Sequence, residues 1–472
     1  MSDGGASGDA PPAHPLDLTA REIAAGVRSR RFSAVEVMRE SLRRARATQG
    51  SFNAFVLIRD EAAMAAAREA DAAVEEGRAT GFLHGVPFAA KDLTPTAGDL
   101  TTLGSWSSGD VVPTESALYV RRLQATGAIL MAKTTTPEFA HSSLTWSPRF
   151  GATRNPRDPS RTPGGSSGGS AVAVATGVVP FAEGSDMGGS VRIPASFCGV
   201  VGLKPSLGRI PMTILPSVFD DISHFGPLAR TIDDAVAFLE ATSGPSDEDI
   251  GSLPLTFEPG RTQDSSLAGK RFALSVDLGF YAVEPQVEAA IRRAAEAMRA
   301  AGAIVEEVAL PWTRAVVDEW YEVWCVFMSA YFGDRLAGFR DRMDPSMVAI
   351  MERGFAKDAT SYKRVELLRT AMWRDMARLF ESYDALLCPT CAVTAPPVEK
   401  VDGDYFGEDA SGRLIGLDMT CPFNFTPQCP ALSVPVGVAA DGLPVGLQIV
   451  GRRFADESVL AIGRGVERLG LG

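Results

Sequence analysis

Two glycine-rich loops carry serines in close succession, and a single lysine precedes them. The first loop is Gly164-Gly165-Ser166-Ser167-Gly168-Gly169-Ser170, and the second is Gly184-Ser185-Asp186-Met187-Gly188-Gly189-Ser190. The lysine is Lys91, in Gly85-Val86-Pro87-Phe88-Ala89-Ala90-Lys91-Asp92. Hydroxyls supply a nucleophile and a relay, and an amine in apolar surroundings loses its charge and accepts a proton. Gly188-Gly189 removes two side chains just before Ser190. The backbone there can turn tightly and aim the N–H groups of Met187, Gly188, Gly189 and Ser190 into one hollow. One such donor to a developing oxyanion is worth roughly 3–4 kcal/mol of barrier. The set describes acyl transfer that needs neither histidine nor metal nor organic cofactor.

Each motif has a blander reading. Lys91 could be a surface lysine paired with Asp92, as most lysines are exposed. The first loop has the composition of a flexible linker. Against the linker stand Arg154-Asn155-Pro156 and Pro163 ahead of it, and a small apolar segment directly after it. A phosphate cradle is disfavoured, because no Gly-Lys-Ser/Thr follows.

The elements that must position these groups read as α/β. Residues 16–76 look helical. Ser33-Ala34-Val35-Glu36 forms a capping box, with Ser33 accepting the Glu36 N–H and Glu36 reaching back. A second, Ala-rich helix covers 60–76. From 81 onward, short apolar runs alternate with turns and helices. Strands are expected at 88–91, 128–133, 178–181, 270–275, 303–308, 385–387, 432–436 and 445–450. Helices are expected at 116–125, 170–176, 285–301 and 455–469, and Thr231 caps another. Asp441-Gly442 joins the last two strands as a hairpin, so the sheet is mixed. The organisation read from this is a disordered tail at 1–15 and one large unit over 16–472. Within it lie N-terminal helices (16–80), a catalytic core (81–240), a variable, mostly helical, substrate-facing region (241–384) and a return to the sheet (385–472).

The totals bound the function. A chain of 472 residues with 45% hydrophobic and 22% charged side chains buries a large core without staples. Its net charge of −12 disfavours nucleic acid and anionic membranes, and a small-molecule substrate fits better. No stretch reaches the roughly 18 apolar residues of a spanning helix. The N-terminus lacks the basic start and apolar core of a signal peptide, and the six sparse cysteines read as reduced thiols of a cytoplasmic protein. Cys388-Pro389-Thr390-Cys391 has redox-pair spacing, but the apolar run before it reads as a buried strand with no helix starting at its first cysteine. Trp320, Trp324, Phe327 and Tyr331 recur at helical spacing, a pattern of a core stripe ahead of a pocket wall. His84, His141 and His224 read as structural or as lying near a pocket rim.

The run from Gly164 to Pro194, together with Gly85–Asp92, closely resembles the amidase signature family. The resemblance continues through Cys198–Pro205, Pro430–Pro435 and Asp441–Gln448, and it is weakest at 240–380. It implies a single amidase-signature fold, with a mixed twisted sheet surrounded by helices. It also implies a Ser–cis-Ser–Lys triad, with Ser190 as nucleophile, Ser166 as bridging serine after a cis peptide, and Lys91 as base. The oxyanion hole falls on the backbone of Met187, Gly188, Gly189 and Ser190, and Asp186 and Arg192 brace the loop. Met187 stands where threonine is common in the family. Leu93-Thr94 and Pro422-Phe423-Asn424 look like the branch of the nylon-oligomer cyclic dimer hydrolase. Homodimers are frequent in the family, and no surface in the sequence marks one. The implied activity is amide hydrolysis; the alternatives are the amidase component of a tRNA-dependent amidotransferase and an esterase or aryl acylamidase.

Overall fold

A computed structural model describes residues 14–472. The expected tail falls outside the described residues except at 14 and 15, where His14 caps a short turn opening at Pro15.

In chain order the strands are β1 (Phe55–Ile58), β2 (Pro87–Lys91), β3 (Ile129–Thr134), β4 (Trp146–Ser147), β5 (Gly151–Ala152), β6 (Phe181–Asp186), β7 (Val201–Lys204) and β8 (His224–Ala229), followed by β9 (Arg271–Leu274), β10 (Ile304–Glu307), β11 (Ala385–Pro389), β12 (Ala431–Val438) and β13 (Pro444–Gly451). Among the described residues β4 and β5 make a small hairpin. The rest form one 11-stranded sheet in the order β1-β3-β2-β6-β8-β7-β12-β13-β11-β9-β10. The sheet is mixed. β2 runs parallel to β3 and β6, and β9 runs parallel to β10 and β11. β6–β8, β7–β8, β7–β12 and β12–β13 are antiparallel. Helices pack around it, and the main core joins Phe88, Phe181, Phe225 and Leu432 across the central strands with Val37, Val120, Phe238 and Leu460 of the surrounding helices. Buried on both faces, the central strands carry near-continuous small and apolar residues.

Local chemistry explains most element ends. Ser33 Oγ accepts the Glu36 N–H at 2.9 Å and opens the helix Ala34–Phe52. The reciprocal bond expected from Glu36 does not form, so this is a single cap rather than a box. Thr231 caps Ile232–Thr242 by accepting the Asp234 N–H at 3.1 Å. Asp441-Gly442 turns β12 into β13 with Gly442 at φ +80°, a value at which glycine carries no steric cost.

Two expectations need correcting. Residues 16–76 are not wholly helical, because β1 interrupts them as a short edge strand paired antiparallel with β3. The strand expected at 178–181 lies at Phe181–Asp186 instead. Val178 lies just past the helix Gly168–Ala175 and caps its end, its N–H bonding to the Ala173 carbonyl at 3.0 Å. β6 therefore runs straight into the second glycine–serine loop.

Candidate active site

Lys91 is the last residue of β2, and β6 ends at Asp186 on the neighbouring strand. The first loop leads into the helix Gly168–Ala175, and the second leads into Arg192–Cys198. Parallel strands in mid-sheet present their C-terminal ends to one edge, where α/β proteins assemble sites.

The geometry brings the sequence candidates together. Lys91 is fully buried. Its Nζ donates to Ser166 Oγ at 2.6 Å and to Ser185 Oγ at 2.9 Å. Burial lowers the amine from the ordinary lysine value to about 7, against the opposing charges of Glu183 and Asp186. The surface pairing with Asp92 is overturned, because Asp92 pairs with Lys133 at 3.0 Å, both fully buried. The linker reading of the first loop fails as well, since Gly164 through Ser170 are all buried. The Gly165–Ser166 peptide is cis.

Ser190 is half-buried and faces the same cavity as Ser166 and Ser185. No hydrogen bond joins its Oγ to Ser166. The two loops are instead stitched through the backbone, the Ser167 N–H donating to the Ser190 carbonyl at 3.2 Å. The carbonyls of Met187, Gly188 and Gly189 are likewise engaged. Met187 O accepts Trp320 Nε1 at 3.0 Å, Gly188 O accepts Thr420 Oγ1 at 2.5 Å, and Gly189 O accepts the Ile193 N–H at 2.7 Å. The N–H groups of Met187, Gly188, Gly189 and Ser190 donate to no protein group among the described residues. The turn needs Gly189, which sits at φ +132°.

Asp186 and Arg192 hold this turn as a fully buried bidentate pair. Arg192 Nε donates to Asp186 Oδ2 at 2.9 Å, and Nη2 donates to Asp186 Oδ1 at 2.8 Å. The remaining guanidinium protons reach Thr420 O, Gln448 Oε1 and Asn424 Oδ1 at 2.9, 2.7 and 2.7 Å. All five N–H donors are thereby used. Burial pushes the Asp186 carboxyl up, but the charge and hydrogen bonds of Arg192 outweigh it and hold the group well below the usual range.

The cavity over the serines measures ≈ 80 Å³. Trp320, Trp324, Tyr281 and Phe406 form aromatic walls, and its charged lining is Asp402 and Asp418, with no lysine or arginine. Burial raises both carboxyls above the usual range. The aromatic stripe is the expected core stripe in part, with Trp324 buried among Met328, Met347 and Met351 and with Trp320 and Phe327 packed against that cluster, and it also reaches the cavity. Trp320 and Trp324, stacked with centroids 5.8 Å apart, wall the cavity, while Phe327 and Tyr331 extend the stack away from it. His141 lines the rim, its ring between Glu138 O at 2.8 Å and Ser346 Oγ at 2.7 Å. His84 meets the Ala70 carbonyl at 2.9 Å. His224 lies between Asp186 O and Pro427 O, and burial beside Lys204 drives it down to about 3. All six cysteines are free and buried. Cys388 lies within β11, and burial pushes its thiol up to about 12. Among the described residues no group of three His, Cys, Asp or Glu could hold a metal, and no helix is long and apolar enough to cross a membrane.

Sequence reasoning missed Ser185, although it stands inside the second loop, and Glu183, a charge within β6 between small and apolar residues. Asn424 and Gln448 lie in stretches that carry the family resemblance without a role being assigned to them, and no local signal marks Thr420.

The family model for Amidase matches residues 36–460. The acylamidase of Rhodococcus erythropolis is 35% identical over 450 residues, covering 94% of this chain and 93% of its own. A glutamyl-tRNA(Gln) amidotransferase subunit of Chloroflexus aurantiacus is 35% identical over 481 residues, covering 97% of each chain. Among solved structures, a bacterial aryl acylamidase of the amidase signature family superposes with a TM-score of 0.90 at 29% identity over 97% of both chains. The 6-aminohexanoate cyclic dimer hydrolase complexed with substrate does so with a TM-score of 0.84 at 29% identity, over 96% of this chain and 97% of that one. Matched over nearly its whole length, the chain belongs to the amidase signature family that its two loops and Lys91 resemble.

Proposed function

We propose that this protein hydrolyses carboxylic amides through an acyl-enzyme on Ser190, with Ser166 as the relay and Lys91 as the base. The observation that carries this reading is the 2.6 Å contact between the buried Lys91 amine and Ser166 Oγ, beside a cavity that Ser190 shares. Near pH 7 the neutral amine is available. Lys91 Nζ takes the Ser166 proton, and Ser166 takes that of Ser190. Ser190 Oγ then forms a bond to the amide carbon as the carbonyl π pair moves to oxygen. The Met187–Ser190 N–H row receives that oxyanion, and Asp186 and Arg192 keep the row in place. The relay returns the proton to nitrogen, the C–N bond breaks, and the amine leaves neutral. Water repeats the sequence in the amine's place and frees the acid. The Ser190–Ser166 bond belongs to the substrate-bound state, since catalytic hydrogen bonds are often long before substrate is seated.

The cavity lining supports a substrate class. Aromatic walls, two acidic side chains and no lysine or arginine in the lining leave a substrate carboxylate without a partner, which favours neutral or cationic amides over those carrying a carboxylate. Glutamine brings an α-carboxylate, so this lining disfavours the amidotransferase reading and favours a free-standing small-molecule amidase; esters fit the same chemistry. Trp320 and Trp324 bring part of the 241–384 region to the cavity, which supports a substrate-facing role for it. Six free buried thiols suit the cytoplasm.

The test is a panel of neutral, cationic and carboxylate-bearing amides and esters on wild type and Ser190→Ala, with fluorophosphonate labelling. The expected result is turnover lost in Ser190→Ala, labelling at Ser190, and discrimination against carboxylates. Labelling at another residue, with Ser190→Ala fully active, rejects the assignment.

A further inference from the structure

Glu183 takes no part in the chemistry above, yet its carboxylate is fully buried beside the base. Its Oε2 accepts the Lys91 main-chain N–H at 2.9 Å, the Tyr119 hydroxyl at 2.8 Å and the Thr94 hydroxyl at 3.3 Å. Its Oε1 has no hydrogen-bond partner. A buried carboxylate oxygen left bare is costly, so the fold retains this group against its own stability.

Strand register shows what the carboxylate replaces. β2 and β6 pair through Phe88 with Phe181 and Ala89 with Ala182, and their pairing stops there. On its other side β2 stays paired with β3 as far as Lys91 with Thr134. The next main-chain donor, the Asp92 N–H, bonds to Thr134 O on the β3 side at 2.9 Å. By strand alternation the Lys91 N–H points toward β6. The Glu183 carbonyl is engaged by Ser170 Oγ at 2.7 Å. The Glu183 side chain therefore supplies the rung that the diverging strands lack, at the residue whose amine meets Ser166.

The charges around the pair are largely spoken for. Asp186 faces Lys91 but is held bidentate by Arg192. Lys133 lies near Glu183 and is paired with Asp92, and Asp99, which also faces Lys133, is paired with Arg59 at 2.9 Å. Tyr119 is neutral, its hydroxyl pushed well above the usual range by burial. Burial pushes the Glu183 carboxyl itself up, and the Lys91 N–H, the Tyr119 hydroxyl and the Lys91 charge oppose that rise; it is thus the acidic group facing Lys91 that has no other cation bound to it.

We propose that Glu183 is a positioning residue for the Lys91 base, its carboxylate anchoring the Lys91 main chain in place of a strand rung while its negative charge governs how readily the amine gives up its proton. The inference rests on Lys91 being the base. Glu183→Gln keeps an acceptor of the same shape and removes the charge. With less negative potential the ammonium form is disfavoured, so the neutral amine persists to lower pH.

The experiment follows the rate of Ser190 labelling by a fluorophosphonate across pH, in wild type and in Glu183→Gln of verified fold. The acid limb is expected to move down by about one pH unit, the lower end of what an adjacent opposite charge exerts. A merely structural role would lower the rate at every pH and leave the limb in place. An unmoved or raised limb in folded Glu183→Gln overturns the proposal. Where that variant does not fold, Tyr119→Phe takes its place. Removing one donor favours the neutral carboxyl and moves the limb the same way, and a static limb there is equally fatal. A wild type with no acid limb refutes Lys91 as the base and this inference with it; a wild-type limb that Glu183→Gln leaves unmoved refutes only this inference.

Discussion

Replacing Lys91 with methionine tests the charge state of the base without measuring a single turnover. The wild-type amine titrates near 7 in the folded protein and at the ordinary 10.5 once unfolded. Below about pH 7 both states hold the proton, and the folded protein bears the whole cost of burying an ammonium. Between about 7 and 10.5 the unfolded chain binds more protons than the folded one, so wild-type stability rises with pH across that window. At about 1.36 kcal/mol per pH unit the full rise amounts to about 5 kcal/mol. Lys91→Met carries no such term. It also strips a hydrogen bond from Ser166 and from Ser185, at about 1–3 kcal/mol each, but that loss does not vary with pH over the same window. The absolute sign of the stability change at pH 7 is therefore a balance, whereas its pH dependence is not. Relative to wild type, Lys91→Met is most stable at and below neutral pH and loses ground steadily towards pH 10. Urea denaturation followed by tryptophan fluorescence at several pH values reads this difference. Glu183, relieved of the amine's attraction, holds its proton to higher pH, so the comparison is best made on the alkaline side. A stability difference constant from neutral to alkaline pH would mean that Lys91 is not depressed in the folded state, and the reasoning that makes it a base would fail.

Two further perturbations address the loop that carries Ser190. Arg192→Met leaves the Asp186 carboxylate buried without its cation, a change expected to cost about 3–5 kcal/mol; since protonating Asp186 relieves the defect, the loss should be smaller at acid than at neutral pH, and a loss below about 1 kcal/mol or one independent of pH contradicts the bracing role. A Cβ on Gly188 would land on the Trp320 indole ring, so Gly188→Ala displaces the cavity wall and the Met187 carbonyl bound to it; overpacking of this kind costs about 1–3 kcal/mol, and kcat/KM for aromatic amides should fall about 10- to 100-fold, whereas unchanged kinetics would show that the wall does not touch substrate.

What the sequence discloses about this site depends on how far apart in the chain the interacting groups lie. The second loop is legible because tight turning is a local property, and Gly188-Gly189 before a serine states it within three residues. The same holds for the Thr231 cap and the Asp441-Gly442 hairpin. Partners set by register are not legible. Asp92 adjoins Lys91, so proximity in the chain suggests a pair, yet β2 ends at Lys91 and the chain turns at Asp92, which meets Lys133 while Lys91 meets Ser166 and Ser185.

The misplacement of β6 has a related cause, and it bears on how such sites are recognised. An apolar run is the signal of a doubly buried strand, and Val178–Phe181 gives that signal, although its first two residues bond back to Ala173 and cap the end of a helix. The true strand contains Glu183, Ser185 and Asp186, residues that argue against burial by type. They are buried because each meets a specific partner: one oxygen of Glu183 accepts from Lys91 and Tyr119, Ser185 meets Lys91, and Asp186 is paired with Arg192. A strand that carries chemistry must break the apolar rule, and it can do so only where other elements bring donors and charges to meet it. The linker-like first loop makes the complementary case. Its composition suits solvent, yet it is buried, with the Gly164 carbonyl accepting the Thr145 hydroxyl at 2.7 Å and the Gly168 N–H donating to that same oxygen at 3.2 Å. Glycine there serves close approach of backbones rather than freedom of movement. Where polar residues interrupt a central strand beside a glycine loop of this kind, the two violations explain each other, and their coincidence points to a site more strongly than either alone.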